Sequence, residues 1–288
     1  MEGEDADTDN PRSFQKAAWW KRLIILAAGA FMNLVAGVLI FAILYLPMNH
    51  VYDPVITQFT DCCQFNTEDG LQLGDRILEI DGEKIYQNSD ISMMLSLNPT
   101  VKHDIVVQRD GQQLVFDDLD MAHTHTDENG QEYLHYGFGY GQKREVDFWG
   151  RLDNVWKVTV NNVRIVRLSL QMLLTGQAGV SDISGPVGIV QIMSDMATSS
   201  DSPMAAFLNM LSFGGMIAVN LAVMNLLPIP ALDGGRIVGL LLTTGIEAVT
   251  KKKLNPKYEG YIHGAGMILL LALMALIMFK DIFTIFKG

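Results

Sequence analysis

Three long stretches of the chain are apolar and contain no charged residue. Residues 23–46, 204–232 and 261–279 lack Asp, Glu, Lys and Arg. Each is at least as long as the roughly 19 residues that an α-helix needs to cross a bilayer. The pattern predicts a polytopic α-helical membrane protein with three spans. We expect the second span to be a broken helix at 204–235 and the third to lie at 261–280.

The distribution of Lys and Arg predicts the orientation of these spans. Basic residues concentrate within 1–22, before the first span, and within 236–260, between the last two spans. Because loops rich in Lys and Arg stay in the cytoplasm, both segments are expected to be cytoplasmic loops. The loop at 236–260 also has a short apolar run that predicts a half-helix. The segment between the first two spans is then extracytoplasmic.

That extracytoplasmic segment has the pattern of a small mixed domain. Residues 76–80 alternate as in a strand, and Arg109-Asp110-Gly111 predicts a hairpin turn. Ser89 is expected to cap a short helix that stops at Asn98. Together these signals predict an inserted α+β domain at residues 50–122.

A second region outside the spans has helical rather than strand periodicity. Apolar residues such as Val155, Val158 and Val163 recur at helical spacing and alternate with basic residues. The pattern predicts an amphipathic or interfacial helical region at 146–203. A helix packed under the inserted domain explains the same pattern equally well.

Charge and cysteine usage exclude some functions. The net charge of −11 argues against a nucleic-acid partner, because phosphate binding requires clustered Lys and Arg. Cys62 and Cys63 are adjacent and form neither a disulfide framework nor a zinc-finger spacing. His123 and His125 fall in a polar outside stretch, which predicts solvated loop side chains rather than zinc ligands.

The residues with the clearest chemical potential lie at the end of the second apolar run. This run contains Asn220, Asn225, Pro228, Pro230 and Asp233. Prolines break a helix, and the backbone groups they release are tolerated in a membrane only where they line a cavity or meet a partner. An ionisable residue there is a functional-site hypothesis, since a carboxylate can bind a metal. Composition alone leaves open a simple turn in which the Asp caps the next helix.

The segment Asn225–Gly235, with the sequence NLLPIPALDGG, resembles the C-terminal signature of the site-two protease family of intramembrane zinc metalloproteases. Three further blocks resemble the family in the same order: Ala27–Asn33, a PDZ-like block at Gly70–Ile77, and Ser184–Ile189. The resemblance covers nearly the whole chain. It implies a polytopic α-helical membrane protein with an inserted α+β PDZ-like domain, located in the inner or plasma membrane with that domain outside the cytoplasm.

The resemblance also implies roles for individual residues. Asp233 matches the third zinc ligand, and Asn225 matches the residue that engages the substrate backbone, with Asn220, Pro228 and Pro230 in the same lining. Gly29 and Asn33 match a helix-packing motif. The PDZ-like peptide-binding region comprises Gly70, Leu71, Leu73, Gly74, Asp75 and Ile77. The implied cofactor is Zn²⁺, and the implied partners are transmembrane substrates such as anti-sigma factors or signal-peptide remnants, together with the lipid bilayer.

One part of the family pattern is missing from the printed chain. The family places two zinc-binding histidines and a catalytic glutamate in His-Glu-x-x-His, and none of the six histidines here has another four residues away. The chain is therefore expected to be the C-terminal portion of the protease, inactive alone and unable to hold the catalytic zinc. A natural pseudoprotease that binds membrane substrates is the alternative. A secondary transporter is a second alternative, although no repeated halves are visible.

Overall fold

The computed structural model describes residues 14–60, 70–126, 132–177, 179, 185–251 and 257–287. The chain divides into two compact units. Residues 1–44 and 162–288 form the membrane unit, and residues 45–161 form the sheet unit.

The membrane unit is helical. Its elements are a short 3₁₀ turn at Phe14–Lys16 and the helices α1 (Trp19–Tyr45), α4 (Pro186–Thr198), α5 (Pro203–Asn225), α6 (Asp233–Thr250) and α7 (Lys257–Lys287). Helix α3 (Phe148–Thr175) begins in the sheet unit and ends in the membrane unit.

Among the described residues, three helices are long and apolar enough to cross a membrane, and they coincide with the three candidate spans expected from the apolar runs. They are Trp19–Tyr45, Pro203–Asn225 and Gly260–Phe283, with 27, 23 and 24 residues. The second span stops at Asn225, before the two prolines. A new helix, α6, then starts at Asp233 and runs for 18 residues, longer than the half-helix expected within this loop.

Helices α1 and α5 approach closely through glycine. A Cβ at Gly37 would lie 2.6 Å from Val219 Cγ2, and one at Gly215 would lie 2.7 Å from Phe41 Cε1. Small residues of this kind let the backbones of neighbouring membrane helices come together. This close approach lies one to two turns along α1 from Gly29 and Asn33, whose role in helix packing stays a prediction.

Helix α4 is joined to the last span by a buried carboxylate. Asp281 of α7 is 5% exposed, and its Oδ2 accepts hydrogen bonds from the backbone N–H groups of Gly185 at 2.9 Å and Gly188 at 3.0 Å. These donors lie at the N-terminus of α4, where backbone N–H groups lack intrahelical acceptors. Asp281 therefore caps α4 from a different helix.

In the residues that the structure describes, the sheet unit has eight strands and one short helix, besides the beginning of α3. The strands are β1 (His50–Phe59), β2 (Arg76–Ile80), β3 (Glu83–Lys84), β4 (Lys102–Arg109), β5 (Gln112–Asp120), β6 (Ala122–Thr126), β7 (Glu132–Tyr136) and β8 (Phe138–Glu145), and the helix is α2 (Asn88–Leu97). The main sheet has the order β5-β4-β2-β1-β8, with β3 paired to β2, and β6 and β7 form a separate hairpin.

This unit extends beyond residue 122, where the sequence pattern predicted its end. Strand β8 pairs with β1 from His50↔Glu145 to Phe59↔Phe138, so the last strand in the sequence completes the sheet at the side of the first. Its sequence, rich in glycine and charge, gave little strand signal. Long-range pairing with β1 determines the boundary.

Local turn chemistry was predicted more reliably than helix capping. The β4–β5 hairpin turns at Asp110 and Gly111, with φ of 50° and 82°, as its sequence predicted. Helix α2, however, is capped at Gln87 and not at Ser89, because Asp90 Oδ2 accepts from the backbone N–H of Gln87 at 3.2 Å. Asp90 is fully buried, so this cap also belongs to the core.

A candidate metal and substrate site at the break between α5 and α6

The break between α5 and α6 is a compact loop with an unusual backbone. Ala231 has a φ of +85°, a conformation that residues with a side chain rarely adopt. The loop is folded by short-range backbone hydrogen bonds, including Ile229 N–H to Leu227 O at 2.7 Å and Leu232 N–H to Ile229 O at 3.1 Å. Such strain persists only where the surrounding structure enforces it, and it concentrates at functional sites.

Two glycines allow the start of α6 to lie against this loop. A Cβ at Gly234 would collide with the carbonyl groups of Leu226 and Leu227, and one at Gly235 would collide with the carbonyl oxygen of Ile229. Because the colliding atoms belong to the backbone, they cannot rotate away as a side chain would. The two glycines after Asp233 are therefore required by packing.

Asp233 is the first residue of α6, and Leu232 occupies the N-cap position. The carboxylate consequently does not serve as the N-cap that a simple boundary turn would require. Its Oδ2 lies 3.4 Å from where a Cβ at Gly29 would be, so the carboxylate contacts α1 at that glycine. The structure thus brings together two residues of the predicted site.

The two asparagines lie on the helix that leads into the break. Asn220 is half-buried, and its Oδ1 is shielded from solvent with no hydrogen-bond partner among the described residues. Asn225 is the last residue of α5 and is half-buried. Pro228 and Pro230 are exposed in the loop itself. An unpartnered amide oxygen is costly, about 1–3 kcal/mol, which marks Asn220 as a residue that can accept a hydrogen bond from an incoming molecule.

Helix α7 holds the loop from its other side, which the sequence reasoning missed. The backbone N–H of Ala231 donates to His263 Nδ1 at 3.2 Å. A Cβ at Gly266 would lie 2.5 Å from Pro230 Cβ and 2.8 Å from the Pro230 backbone carbon. The spacing of His263 and Gly266 by three residues on one helix face was the available signal.

The described residues do not by themselves fit a zinc ion. Among them, no group of three or more His, Cys, Asp or Glu side chains is placed to hold a metal. A catalytic zinc needs three protein ligands and an open position, and Asp233 is a single carboxylate.

The predicted PDZ-like peptide-binding residues lie in the sheet unit and are mostly inside it. Leu71 and Ile77 are 0% exposed and Asp75 is 1% exposed. Strand β2 is flanked by β4 on one side and by β1 and β3 on the other, so it has no free edge for an added peptide strand. Gly70, Leu71, Asp75 and Ile77 therefore build the core, while Leu73 and Gly74 remain at the surface.

A buried ion pair fixes the turn that contains these residues. Arg109 donates from Nε to Asp75 Oδ1 at 2.8 Å and from Nη2 to Asp75 Oδ2 at 2.7 Å. The same Nη2 also donates to the carbonyl oxygen of Gly70 at 2.7 Å. The hydrogen bonds to Asp75 raise the pKa of Arg109. This two-pronged geometry is specific to Arg and rigidly joins β4 to the Gly70–Asp75 turn.

Two further carboxylates of the sheet unit have lowered pKa values. Burial raises the pKa of Asp53, but hydrogen bonding from Arg144, with Nε 2.6 Å from Oδ2, and the charge of Arg76 outweigh it. Burial likewise raises the pKa of Asp81, and hydrogen bonds from Asn98 and His103 reverse the effect. Both groups are therefore held in the ionised form by specific donors.

The end of the sheet offers a different surface. Strand β8 is the terminal strand of the main sheet. Tyr136, just before it, donates its hydroxyl to Leu95 O of α2 at 3.3 Å. Beside this contact lies a 590 Å³ cleft lined in part by Leu95, Pro99 and Leu134. The cleft is lined by α2 and the β6–β7 hairpin, with polar side chains such as Ser96 and Glu132 in its wall. The edge of β8 is a separate surface, and an edge strand can take an extended peptide.

Comparison with known proteins decides the family. The profile of peptidase family M50 matches residues 1–273. The chain belongs to this family. The site-two protease resemblance of the sequence motifs is thereby confirmed.

Named relatives agree with this assignment. The chain is 32% identical over 282 residues to the regulator of sigma-W protease RasP of Bacillus subtilis, covering 96% of the chain and 62% of that protein. It is 31% identical over 279 residues to the zinc metalloprotease RasP of Oceanobacillus iheyensis, again covering 96% and 62%. The chain thus spans about three fifths of the length of these relatives.

Proposed function

We propose that this M50 chain forms the substrate-side half of a zinc-dependent intramembrane endopeptidase that cleaves transmembrane segments. In this proposal Asp233 supplies one zinc ligand, and the histidines and glutamate of His-Glu-x-x-His come from outside the 288 residues. The chain alone is inactive and does not hold the catalytic zinc. The supporting observation is the contact of the Asp233 carboxylate with Gly29 at the base of a strained loop between two helices.

The same loop is proposed to receive the substrate. A peptide bond in a membrane helix is shielded, so the substrate must unwind, and its freed N–H and C=O groups then need partners. Asn220 Oδ1 is an acceptor without a partner among the described residues, and Asn225 lies at the helix end beside the loop. The proposed substrates are membrane-anchored proteins such as anti-sigma factors or signal-peptide remnants, in the inner or plasma membrane.

Helix α3 is proposed to lie at the outer membrane surface. Arg151 Nη1 donates to the carbonyl oxygen of Leu46, one residue beyond the end of the first span, at 3.1 Å. Trp149 and Trp156 are 71% and 62% exposed. Tryptophan rings are enriched at the membrane–water interface, so their exposure supports a position there. The opposite face is tied to the sheet unit, where Asn161 Nδ2 donates to Asp90 Oδ1 at 2.7 Å. Both alternatives for this region therefore have support, one for each face.

A chimera tests the proposed function. A family helix that bears His-Glu-x-x-His is joined ahead of residue 1, and cleavage of a transmembrane reporter is measured in membranes. Cleavage is expected with the chimera and not with the chain alone. Asp233→Asn should reduce the rate of reporter cleavage by more than roughly 10- to 100-fold, the loss seen when a residue that only supports a metal ligand is replaced. Gly245→Ala, on the same helix with no atom within 4 Å, is the matched control and should retain cleavage.

The pseudoprotease alternative has its own supporting observation, the position of β8 as the terminal strand of the main sheet. In that alternative the chain binds an extended peptide of a membrane substrate at the β8 edge. A chimera that contains stoichiometric zinc, binds the reporter and fails to cleave it would reject the protease proposal in favour of this one. Cleavage that survives Asp233→Asn unchanged would reject the assigned role of Asp233.

A further inference from the structure

The hairpin of β6 and β7 presents three imidazole rings on one face. His123 and His135 are direct cross-strand partners, and His125 follows His123 by two residues on β6. Alternate residues of a strand share a face, and so do direct cross-strand partners. The ring centres lie 5.7 Å apart for His123 and His135, and 6.2 Å apart for His123 and His125.

This arrangement corrects the expectation that His123 and His125 lie in a loop, whereas His125 is exposed, as expected for a solvated side chain. Both residues lie on a strand whose register is set by five consecutive partners, from Ala122↔Tyr136 to Thr126↔Glu132. Strand pairing restricts their ring positions far more than a loop would. His135, which the sequence did not associate with them, becomes the nearest ring to His123.

One ring nitrogen on this face has no partner. His123 is half-buried, and its Nδ1 is shielded from solvent with no hydrogen bond in the described part of the chain. In a neutral imidazole one ring nitrogen has a free lone pair, which either accepts a hydrogen bond or can bind a metal.

We propose that His123 and His135 form a two-imidazole chelate for a divalent late transition metal, with water completing the coordination. Imidazole nitrogens suit Cu²⁺, Ni²⁺ and Zn²⁺, and affinity for such a site is greatest for Cu²⁺ in the Irving–Williams order. Two imidazoles on one metal, each with its nitrogen about 2.0 Å from it, have ring centres about 5 Å apart in the tetrahedral geometry of Zn²⁺ and about 4.5 Å apart as neighbours in the square-planar geometry of Cu²⁺. The observed 5.7 Å is close enough for small side-chain rotations to reach these values.

The surroundings favour a cation. In residues 45–161 the acidic side chains outnumber Lys and Arg, and the whole chain has a net charge of −11. An acidic surface raises the local concentration of cations.

This chelate is separate from the proposed catalytic zinc site. His123 and His135 belong to the sheet unit, whereas Asp233 belongs to the membrane unit. It has two protein ligands, so it is consistent with the absence of any three-residue metal group among the described residues. The proposal does not depend on the protease function.

A bound metal would fasten the hairpin across its strands. Thr124 and Leu134, at the next register position, belong to the lining of the cleft beside α2. The metal would therefore stabilise one wall of that cleft from the other face of the hairpin. A ligand that binds only the folded form stabilises that form, so the metal is expected to raise the stability of the sheet unit.

Cu²⁺ binding to the purified full chain tests the proposal. The chain is prepared in detergent with a tag that lacks histidine, and Cu²⁺ is added in a competing amino-acid buffer. Electron paramagnetic resonance should show one Cu²⁺ per chain with hyperfine coupling to two imidazole nitrogens. His123→Gln and His135→Gln should each weaken binding by about tenfold or more, equivalent to about 1.4 kcal/mol.

His125→Gln is the matched control, since it removes an imidazole from the same face and should retain the two-nitrogen signal. Asp233→Asn should leave Cu²⁺ binding unchanged, which separates this result from any failure of the protease proposal. Each variant is first shown to keep its metal-free thermal unfolding midpoint. Absence of the two-nitrogen signal in the unmodified chain, or equal loss in His125→Gln, would overturn the assignment.

Discussion

Gly234→Ala tests the geometry that positions Asp233. A methyl group at Gly234 would collide with the carbonyl groups of Leu226 and Leu227. The helix start and the loop would have to separate by about 1 Å to restore ordinary contacts of about 3.5 Å. Forcing an extra methyl group into such packing costs about 1–3 kcal/mol. The variant should therefore lower the free energy of unfolding of the membrane unit and displace the Asp233 carboxylate from Gly29.

Gly245→Ala supplies the reference for this measurement. Gly245 lies on the same helix, and a Cβ there would meet nothing within 4 Å. Alanine in a helix interior is favoured over glycine by about 0.5–1 kcal/mol. If both variants receive a similar helix-propensity gain, the difference between their unfolding free energies isolates the collision.

The assay is unfolding of the full chain in mixed detergent micelles with increasing SDS. We expect Gly245→Ala to be as stable as the unmodified chain or more so, and Gly234→Ala to be less stable than Gly245→Ala by about 1–3 kcal/mol. Equal stability of the two variants would show that α6 does not start against the 226–227 carbonyls. The account of how Asp233 is positioned would then be wrong.

Three further predictions concern charged side chains. Arg109→Met should destabilise the sheet unit by about 3–5 kcal/mol, measured by hydrogen exchange, because it leaves Asp75 buried and uncompensated. The pKa values of Asp53 and Asp81 are lowered, so their contribution to the free energy of unfolding is complete above the ordinary pKa of 3.8. This contribution is lost as the pH falls below 3.8 and through the lowered values. Acid unfolding of the sheet unit should show the loss. Asp281→Ala should release the N-terminus of α4, measured as faster hydrogen exchange at Gly188.

Matched variants make each of these outcomes decisive. Replacing both Arg109 and Asp75 with apolar residues should recover part of the loss seen with Arg109→Met, because no buried charge then remains. Asp81→Asn should reduce the acid dependence between the ordinary and lowered pKa values, and an unchanged profile would contradict the role of this carboxylate. Asp195→Ala, on the exposed side of α4, should leave exchange at Gly188 unchanged.

The sequence could predict what depends on local pattern, and the structure supplies what depends on distant contacts. The three spans follow from uninterrupted apolar runs, and the hairpin turn at Asp110 and Gly111 follows from local turn chemistry. Strand β8 could not be located in this way, since its place is set by pairing with a strand about 90 residues earlier. The same holds for the cap of α2, where a buried Asp90 displaced the expected Ser89.

The candidate site shows the same division. The motif identified Asp233, Asn225 and Asn220, but it could not show that Gly29 faces the carboxylate or that His263 holds Ala231. These contacts join residues on different helices, and apart from the spacing of His263 and Gly266 a single sequence contains no signal for them. The PDZ-like block shows the same division, because the sequence could not show that Leu71, Asp75 and Ile77 are buried while Leu73 and Gly74 are exposed. Its role in peptide binding stays a prediction.

The oxygen of Asn220, which has no hydrogen-bond partner in the described part of the chain, links the energetics of the membrane unit to its proposed activity. A buried amide oxygen without a donor costs about 1–3 kcal/mol, and a span made otherwise of apolar residues could avoid this cost with leucine. An amide at this position is explained if a hydrogen bond from a substrate backbone N–H group offsets that unfavourable free energy. Under this argument Asn220→Leu should stabilise the chain itself while weakening reporter binding by the chimera. A variant that loses stability and keeps full reporter binding would show that the amide is structural and that the substrate contacts other groups.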